Sequence, residues 1–266
     1  MKYYSAAGEE YVEHIERMIN HWVYLKHRYL PSITMKITKM LSHSKVTMYD
    51  IDKIVKLMTI FHDAGKLTEV YQKGYINGNN HYKIFHVRYP HEFWGFALTY
   101  NVLHSVFKEP ILSAYPALGV LYHHEFFTVK ATMKSRGFRT IVPVELYRQY
   151  GVYYENFREK ATLSIEALSY LDNIVKRYVG EKYLIRKNMN YETTYDFVKQ
   201  TIVKVFSLFS KALHGEEAHV SRLLFSIFHH ILILLDYRGA YLRGGFKPKF
   251  TEVILRARLP ILHSRT

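Results

Sequence analysis

Tyr11, Ile15, Met18, Trp22, Leu25 and Tyr29 follow one another in steps of four and three, the spacing that lines up one apolar stripe on an α-helix. A second helix is expected from a cap at Asp50 or Asp52 through Ile51, Ile54, Val55, Met58 and Phe61, stopping near Gly65, because glycine is favoured just past a helix end. His62 and Asp63 then fall in its last turn. The stretch from Gln72 to Asn80, rich in Gly and Asn, reads as a loop, and Pro90 is placed to open a helix through Phe93, Trp94, Ala97 and Leu98, with His91 in its first turn. Further helices are expected at about 111 to 125, 151 to 178, 191 to 214 and 217 to 243. Strand alternation is weak everywhere, and no repeat or linker marks a boundary. The expectation is a mostly α chain forming one compact domain over residues 1–266.

The side chains available restrict the chemistry. Cysteine is absent, which excludes disulfides, Cys-zinc sites, iron–sulfur clusters and thiol catalysis, so any metal must bind His and carboxylates. The 37 Lys and Arg exceed the 23 Asp and Glu, for a net charge of +14, and an acidic partner is expected. Residues 1–125 hold 14 basic and 11 acidic side chains, residues 126–266 hold 23 and 12. Seven of the 16 histidines lie between His62 and His124, so the candidate chemistry and the basic surface are separated along the sequence. No signal-like stretch opens the chain, and the apolar run Leu223 to Leu235 has only 13 residues and is broken by Ser226, His229 and His230. A membrane span needs roughly 20. A soluble, cytoplasmic protein without a membrane partner is expected.

Phe61 to Lys66, FHDAGK, is the sharpest local feature. Adjacent His and Asp at a helix end put an imidazole and a carboxylate within reach of one cation, or of two bridged by the carboxylate. The dipeptide alone is equally compatible with a hydrogen-bonded pair capping a helix. His14, His91 in PHEFWGFA, the pair His123 and His124 in LYHHE, and Asp236 in LLDYRGA add to it. Each lies on or beside an apolar helical stretch, where isolated polar groups are costly unless paired or metallated. Lys66 offers a point charge for a phosphate oxygen, or is simply a solvated lysine. His229, seven residues before Asp236 and on the same face, either orients Asp236 or makes an ordinary buried hydrogen bond. His86 rivals His91 but reads as loop. The remaining histidines, His21, His27 and His104 among them, have no partner pattern and are treated as surface or loop residues.

The order His, His-Asp with Gly-Lys following, His, His-His and a late Asp resembles the HD phosphohydrolase superfamily, and most closely its CRISPR-associated HD nuclease branch. The resemblance runs from His14 to Asp236, with no motif matched between about 140 and 215. It implies a compact HD-type helical fold with the metal site in its core. It further implies His14, His62, Asp63 and Asp236 around one metal, and Asp63, His91, His123 and His124 around a second, with Lys66 on the scissile phosphate. The His-His pair is the most discriminating part, since one-metal HD phosphohydrolases need only His, His-Asp and a final Asp.

Two divalent ions roughly 3.5 to 4 Å apart can activate a water and stabilise both the attacking and leaving oxygens of a phosphodiester. Five histidines with two carboxylates favour Mn²⁺, Ni²⁺ or Co²⁺, with Mg²⁺ a less suited substitute because it prefers oxygen ligands. Lys130, Lys134, Arg136 and Arg139, interleaved with Phe126, Phe127 and Phe138, have the composition of a single-strand groove. A second basic set is Lys182, Arg186 and Lys187, and a third runs from Arg238 to Arg258. The expected function is metal-dependent hydrolysis of single-stranded DNA in type I CRISPR interference, with a separate helicase subunit and a crRNA-guided effector complex as partners. Three alternatives stay open: an HD nucleotide phosphohydrolase, an RNA-directed nuclease, and a non-catalytic basic adaptor.

Overall fold

In the computed structural model the first apolar stripe is the buried face of α1 (Tyr11–Met40), with Tyr11, Ile15, Met18 and Trp22 out of solvent. The structure describes residues 2–6, 8–41, 45–76, 91–124, 162–184, 195–211 and 216–243. Lys130, Lys134, Arg136, Arg139, His86 and Pro90 lie outside them. Ahead of α1, a two-stranded antiparallel hairpin pairs β1 (Tyr4–Ala6) with β2 (Glu9–Glu10).

Helix α2 (Met48–Phe61) starts earlier than expected, and neither Asp50 nor Asp52 is its cap. Thr47 is the cap. Its hydroxyl accepts from the Asp50 amide at 3.2 Å while the Asp50 carboxylate accepts from the Thr47 amide at 2.9 Å, a reciprocal box that satisfies two orphan donors. Asp52 is inside the helix, its carboxylate taken up by Trp22 Nε1 at 2.9 Å and Lys56 at 2.7 Å. The helix ends at Phe61, and Ala64–Leu67 form a single tight 3₁₀ turn.

Gly65 does not terminate α2; it permits contact. A Cβ there would lie 2.2 Å from the His91 carbonyl oxygen, so only glycine lets this turn rest on the His91 backbone. Residues 72 to 76, expected as loop, belong to α3 (Glu69–Ile76). Tertiary bonds override the local composition: the Gln72 amide donates to Lys66 O at 2.7 Å and Tyr4 O at 2.9 Å, and accepts from the Tyr4 amide at 3.0 Å.

Helix α4 (Glu92–Phe107) has His91 as its cap rather than in its first turn. It crosses the end of α2 in backbone contact, since a Cβ on Gly95 would meet Phe61 O at 2.4 Å and His62 O at 2.6 Å. Then come α5 (Pro110–Leu121), α6 (Ile165–Val179) capped by Ser164, α7 (Tyr195–Lys211) and α8 (Glu216–Leu242). The α6 helix is shorter than expected within the described residues and ends at Gly180, whose φ of 95° is left-handed.

One core joins these helices, built around Trp22, Phe61, Trp94, Tyr100 and Phe228. Helix α4 packs on α5, and α8 packs across both α1 and α5. The span Arg222–Leu242 is, by length and composition alone, long and apolar enough to cross a membrane, longer than the 13-residue run suggested. Its apolar residues Leu224, Phe228, Leu232 and Leu235 are buried in this core. One face of helix α8 thus packs on α1 and α5.

Candidate metal centre

The local geometry of each helix end aims its polar side chains inward. His62 caps α2, Asp63 enters the 3₁₀ turn, His91 precedes α4, His123 and His124 follow α5, His14 lies one turn into α1, and Asp236 sits in the last third of α8. The structure brings all seven together. His14 Nε2 lies 3.3 Å and His62 Nε2 3.8 Å from Asp236 Oδ1. His91 Nε2 and His123 Nε2 lie 2.8 and 3.6 Å from Asp63 Oδ1, and the His124 ring is 5.0 Å from that of His91. The other Asp63 oxygen, Oδ2, lies 3.4 Å from His62 Nε2 and 4.0 Å from His14 Nε2.

Two groups that can hold a metal ion result: His14, His62 and Asp236, and Asp63, His91, His123 and His124. The donor set passes a physical test of fit. His14 Nε2, His62 Nε2, His123 Nε2 and Asp63 Oδ1 are buried and make no hydrogen bond within the protein, an arrangement that costs about 1–3 kcal/mol per group unless a cation satisfies it. Two tautomers are set by the backbone. The His62 Nδ1–H donates to Thr59 O at 2.7 Å and the His123 Nδ1–H to Val120 O at 2.6 Å, which leaves each Nε2 lone pair for coordination.

No family model matches the sequence. The CRISPR-associated endonuclease Cas3-HD of Pyrococcus furiosus is 29% identical over 247 residues, covering 93% of this chain and 94% of that protein. The protein of the same name from Methanocaldococcus jannaschii is 24% identical over 258 residues, covering 96% and 95%. This chain belongs to the CRISPR-associated HD nucleases. Among solved structures, the CRISPR-associated Cas3 HD domain protein from Methanocaldococcus jannaschii shares the fold of this HD nuclease, with a TM-score of 0.58 at 20% identity over 85% of this chain and 96% of that one. The chain is an enzyme, which removes the adaptor alternative.

Electrostatics in the HD nuclease follow from burial against charge. Burial works to raise the Asp63 carboxyl, but the neighbouring His62, Lys66, His91 and His123 hold it well below the usual carboxylate range. Asp236 is lowered likewise, against its burial, by the neighbouring imidazoles of His14 and His62. Burial, then the proximity of His123 and His91, pushes His124 well down, keeping its imidazole neutral as a metal ligand must be. Burial opposes a charge on His123 too, but Asp63 outweighs it and the ring is raised.

Other residues depart from their expected places. Lys66 is buried rather than solvated, with Nζ 2.7 Å from Asp63 Oδ2. His229 makes an ordinary buried bond, its Nε2 donating to Tyr122 O at 3.0 Å, and its ring stacks on Phe225. His21 and His104 are half-buried helical residues, not loop residues. Two buried carboxylates escaped the sequence reading. Glu92 Oε2 stands 4.0 Å from His91 Nδ1, and Glu9 Oε1 3.5 Å from His14 Nδ1. Adjacency to His91 is a signal for the first; nothing in the local sequence marks the second.

Proposed function

We propose that this HD nuclease hydrolyses phosphodiester bonds of single-stranded DNA in type I CRISPR interference, in the cytoplasm, with two divalent transition-metal ions. The observation that carries the reading is the division of the Asp63 carboxylate, with Oδ1 toward His91 and His123 and Oδ2 toward His62 and His14. His14, His62 and Asp236 would hold one ion, His91, His123 and His124 the other, with Asp63 shared between them. Such ions supply Lewis acidity, making a nucleophile from water near neutral pH and neutralising charge on the phosphodiester oxygens. The nitrogen-rich set favours Mn²⁺, Ni²⁺ or Co²⁺ over Mg²⁺. Lys66, whose ammonium rests on Asp63 Oδ2, contributes positive charge for a non-bridging phosphate oxygen.

The net charge of +14 supports a polyanionic substrate. The sequence has no G-x-x-x-x-G-K-[ST] loop to cradle a triphosphate, and the reading assigns duplex opening to partners that present single strands to this nuclease. A helicase subunit and a crRNA-guided complex are the partners this division of labour requires. Cleavage of matched single-stranded DNA, single-stranded RNA and blunt duplex, with each divalent ion and with and without ATP, tests the reading. Cutting of single-stranded DNA with duplex left intact and no response to ATP is expected. Comparable duplex cleavage, or a clear preference for RNA, overturns the substrate assignment.

A further inference from the structure

His62 and His123 each use Nδ1 on a backbone carbonyl, whereas His14 faces a carboxylate there. Glu9 Oε1 lies 3.5 Å from His14 Nδ1, and on the far side of the ring Nε2 lies 3.3 Å from Asp236 Oδ1. His14 Nδ1 is buried and makes no hydrogen bond within the protein, and the Glu9 carboxylate stands at the long end of hydrogen-bonding reach from it. Glu9 is only 2% exposed. An ionised carboxylate is costly at that depth unless paired and hydrogen-bonded, and Glu9 has both kinds of partner. Arg17 contacts Oε1, while Arg243 at 2.6 Å and the Ser5 hydroxyl at 2.9 Å donate to Oε2. These groups come from α1, the end of α8 and β1, so three separate parts of the chain fix the carboxylate beside His14.

We propose that Glu9 is a positioning residue for His14. Its carboxylate accepts the Nδ1 proton, holds the ring in the Nδ1–H tautomer, and thereby presents the Nε2 lone pair toward His62 and Asp236. This is the role that Thr59 O plays for His62 and Val120 O for His123, filled here by a side-chain carboxylate. The inference rests on the metal reading of the site, and the two can fail separately.

The test uses the full-length protein and Glu9→Gln. The glutamine amide keeps the shape but can offer a donor where His14 Nδ1 must donate, so it favours the opposite tautomer. Two measurements read the effect: side-chain ¹⁵N NMR of the chelator-treated protein, with the His14 signals assigned through His14→Gln, and calorimetric titration with Mn²⁺. The Nδ1–H form of His14 is expected in the wild type and the Nε2–H form in Glu9→Gln, with one Mn²⁺ site weakened about 10- to 100-fold and the other unchanged. Gly180→Ala, which strains a backbone position at φ 95° and touches none of these groups, should lower thermal stability without moving either readout. If Glu9→Gln only loses stability, like Gly180→Ala, with nitrogen spectra and Mn²⁺ isotherm as in the wild type, Glu9 is structural and the proposal is wrong. Should Glu9→Gln not fold, Glu9→Asp, which draws the charge back by one bond, is expected to show a mixed tautomer and weaker binding, and wild-type values for both would overturn the proposal. A wild-type protein that takes up no Mn²⁺ refutes the metal reading, and the nitrogen spectra then decide the role of Glu9 alone.

Discussion

Asp63 Oδ1 lies 2.8 Å from His91 Nε2, an approach made possible by Gly65, two residues after the aspartate, resting against the His91 backbone. The first residue of one turn and the cap of the next helix thus meet through a place where no side chain fits. The same carboxylate faces the His14 and His62 group with its other oxygen, so both halves of the centre depend on one residue.

Asp63→Asn should therefore reduce cleavage to below about a tenth of wild-type turnover at saturating Mn²⁺, since no other described carboxylate lies between the two groups. His124→Ala should weaken mainly the second group and leave metal stoichiometry near one. Elemental analysis with single-strand cleavage reads both. An Asp63→Asn enzyme retaining more than that fraction would refute the shared-carboxylate assignment.

Gly65→Ala places a methyl group 2.2 Å from a backbone oxygen that cannot swing aside. A destabilisation of about 1–3 kcal/mol is expected from overpacking, accompanied by loss of metal affinity in the group containing Asp63 and His91. Gly180→Ala meets open space and faces only its φ of 95°, so about 1 kcal/mol and no change in metal binding should follow. Denaturant melts and metal titrations compare the two; equal metal binding by Gly65→Ala would contradict the close-contact role.

The pH dependence of stability has a contribution from His21. Burial, then the nearby Arg238, lowers it from 6.5 to about 4. The unfolded chain binds this proton near pH 6.5 while the folded chain does not until about pH 4, so stability from this group is full above 6.5 and declines as pH falls across that window. His21→Gln should flatten the unfolding free energy between pH 6.5 and 4 relative to wild type. Parallel curves for the two proteins would rule out a buried neutral His21.

Simultaneous Ala substitution of Lys130, Lys134 and Arg136 should weaken single-stranded DNA binding without changing metal content. For every phosphate that is no longer neutralised, the salt slope should fall by about 0.7. An unchanged slope would move the strand-binding surface elsewhere, with the C-terminal basic residues next to be tested.

Much of the helical framework was legible because periodicity is a short-range property: the stripe from Tyr11 to Tyr29 and the run from Ile51 to Phe61 each announce a buried helical face. Boundaries were less legible. Thr47 displaced Asp50 as a cap because the two bond reciprocally, and Gln72 continued a helix because its amide binds Tyr4 and Lys66. Candidate ligands could be named from residue type and motif, since an apolar helix tolerates a histidine or carboxylate only when something satisfies it. Their convergence could not be derived from spacing, because it depends on α8 crossing α1 closely enough for Gly239 to sit against His14. Lys66 was ambiguous in sequence, and only the packed turn buries it on Asp63. Glu9 was invisible for the same reason. Its partners reach from Ser5 to Arg243, and a hydrogen bond between residues so far apart leaves no periodic trace in the chain. The sequence by itself thus determined most of the helices, α3 excepted, and which side chains have the chemistry, through local geometry and the cost of burying polar groups. Tertiary structure alone decided which atoms of those side chains face one another, because that is settled by backbone contacts at glycines and by long-range polar bonds.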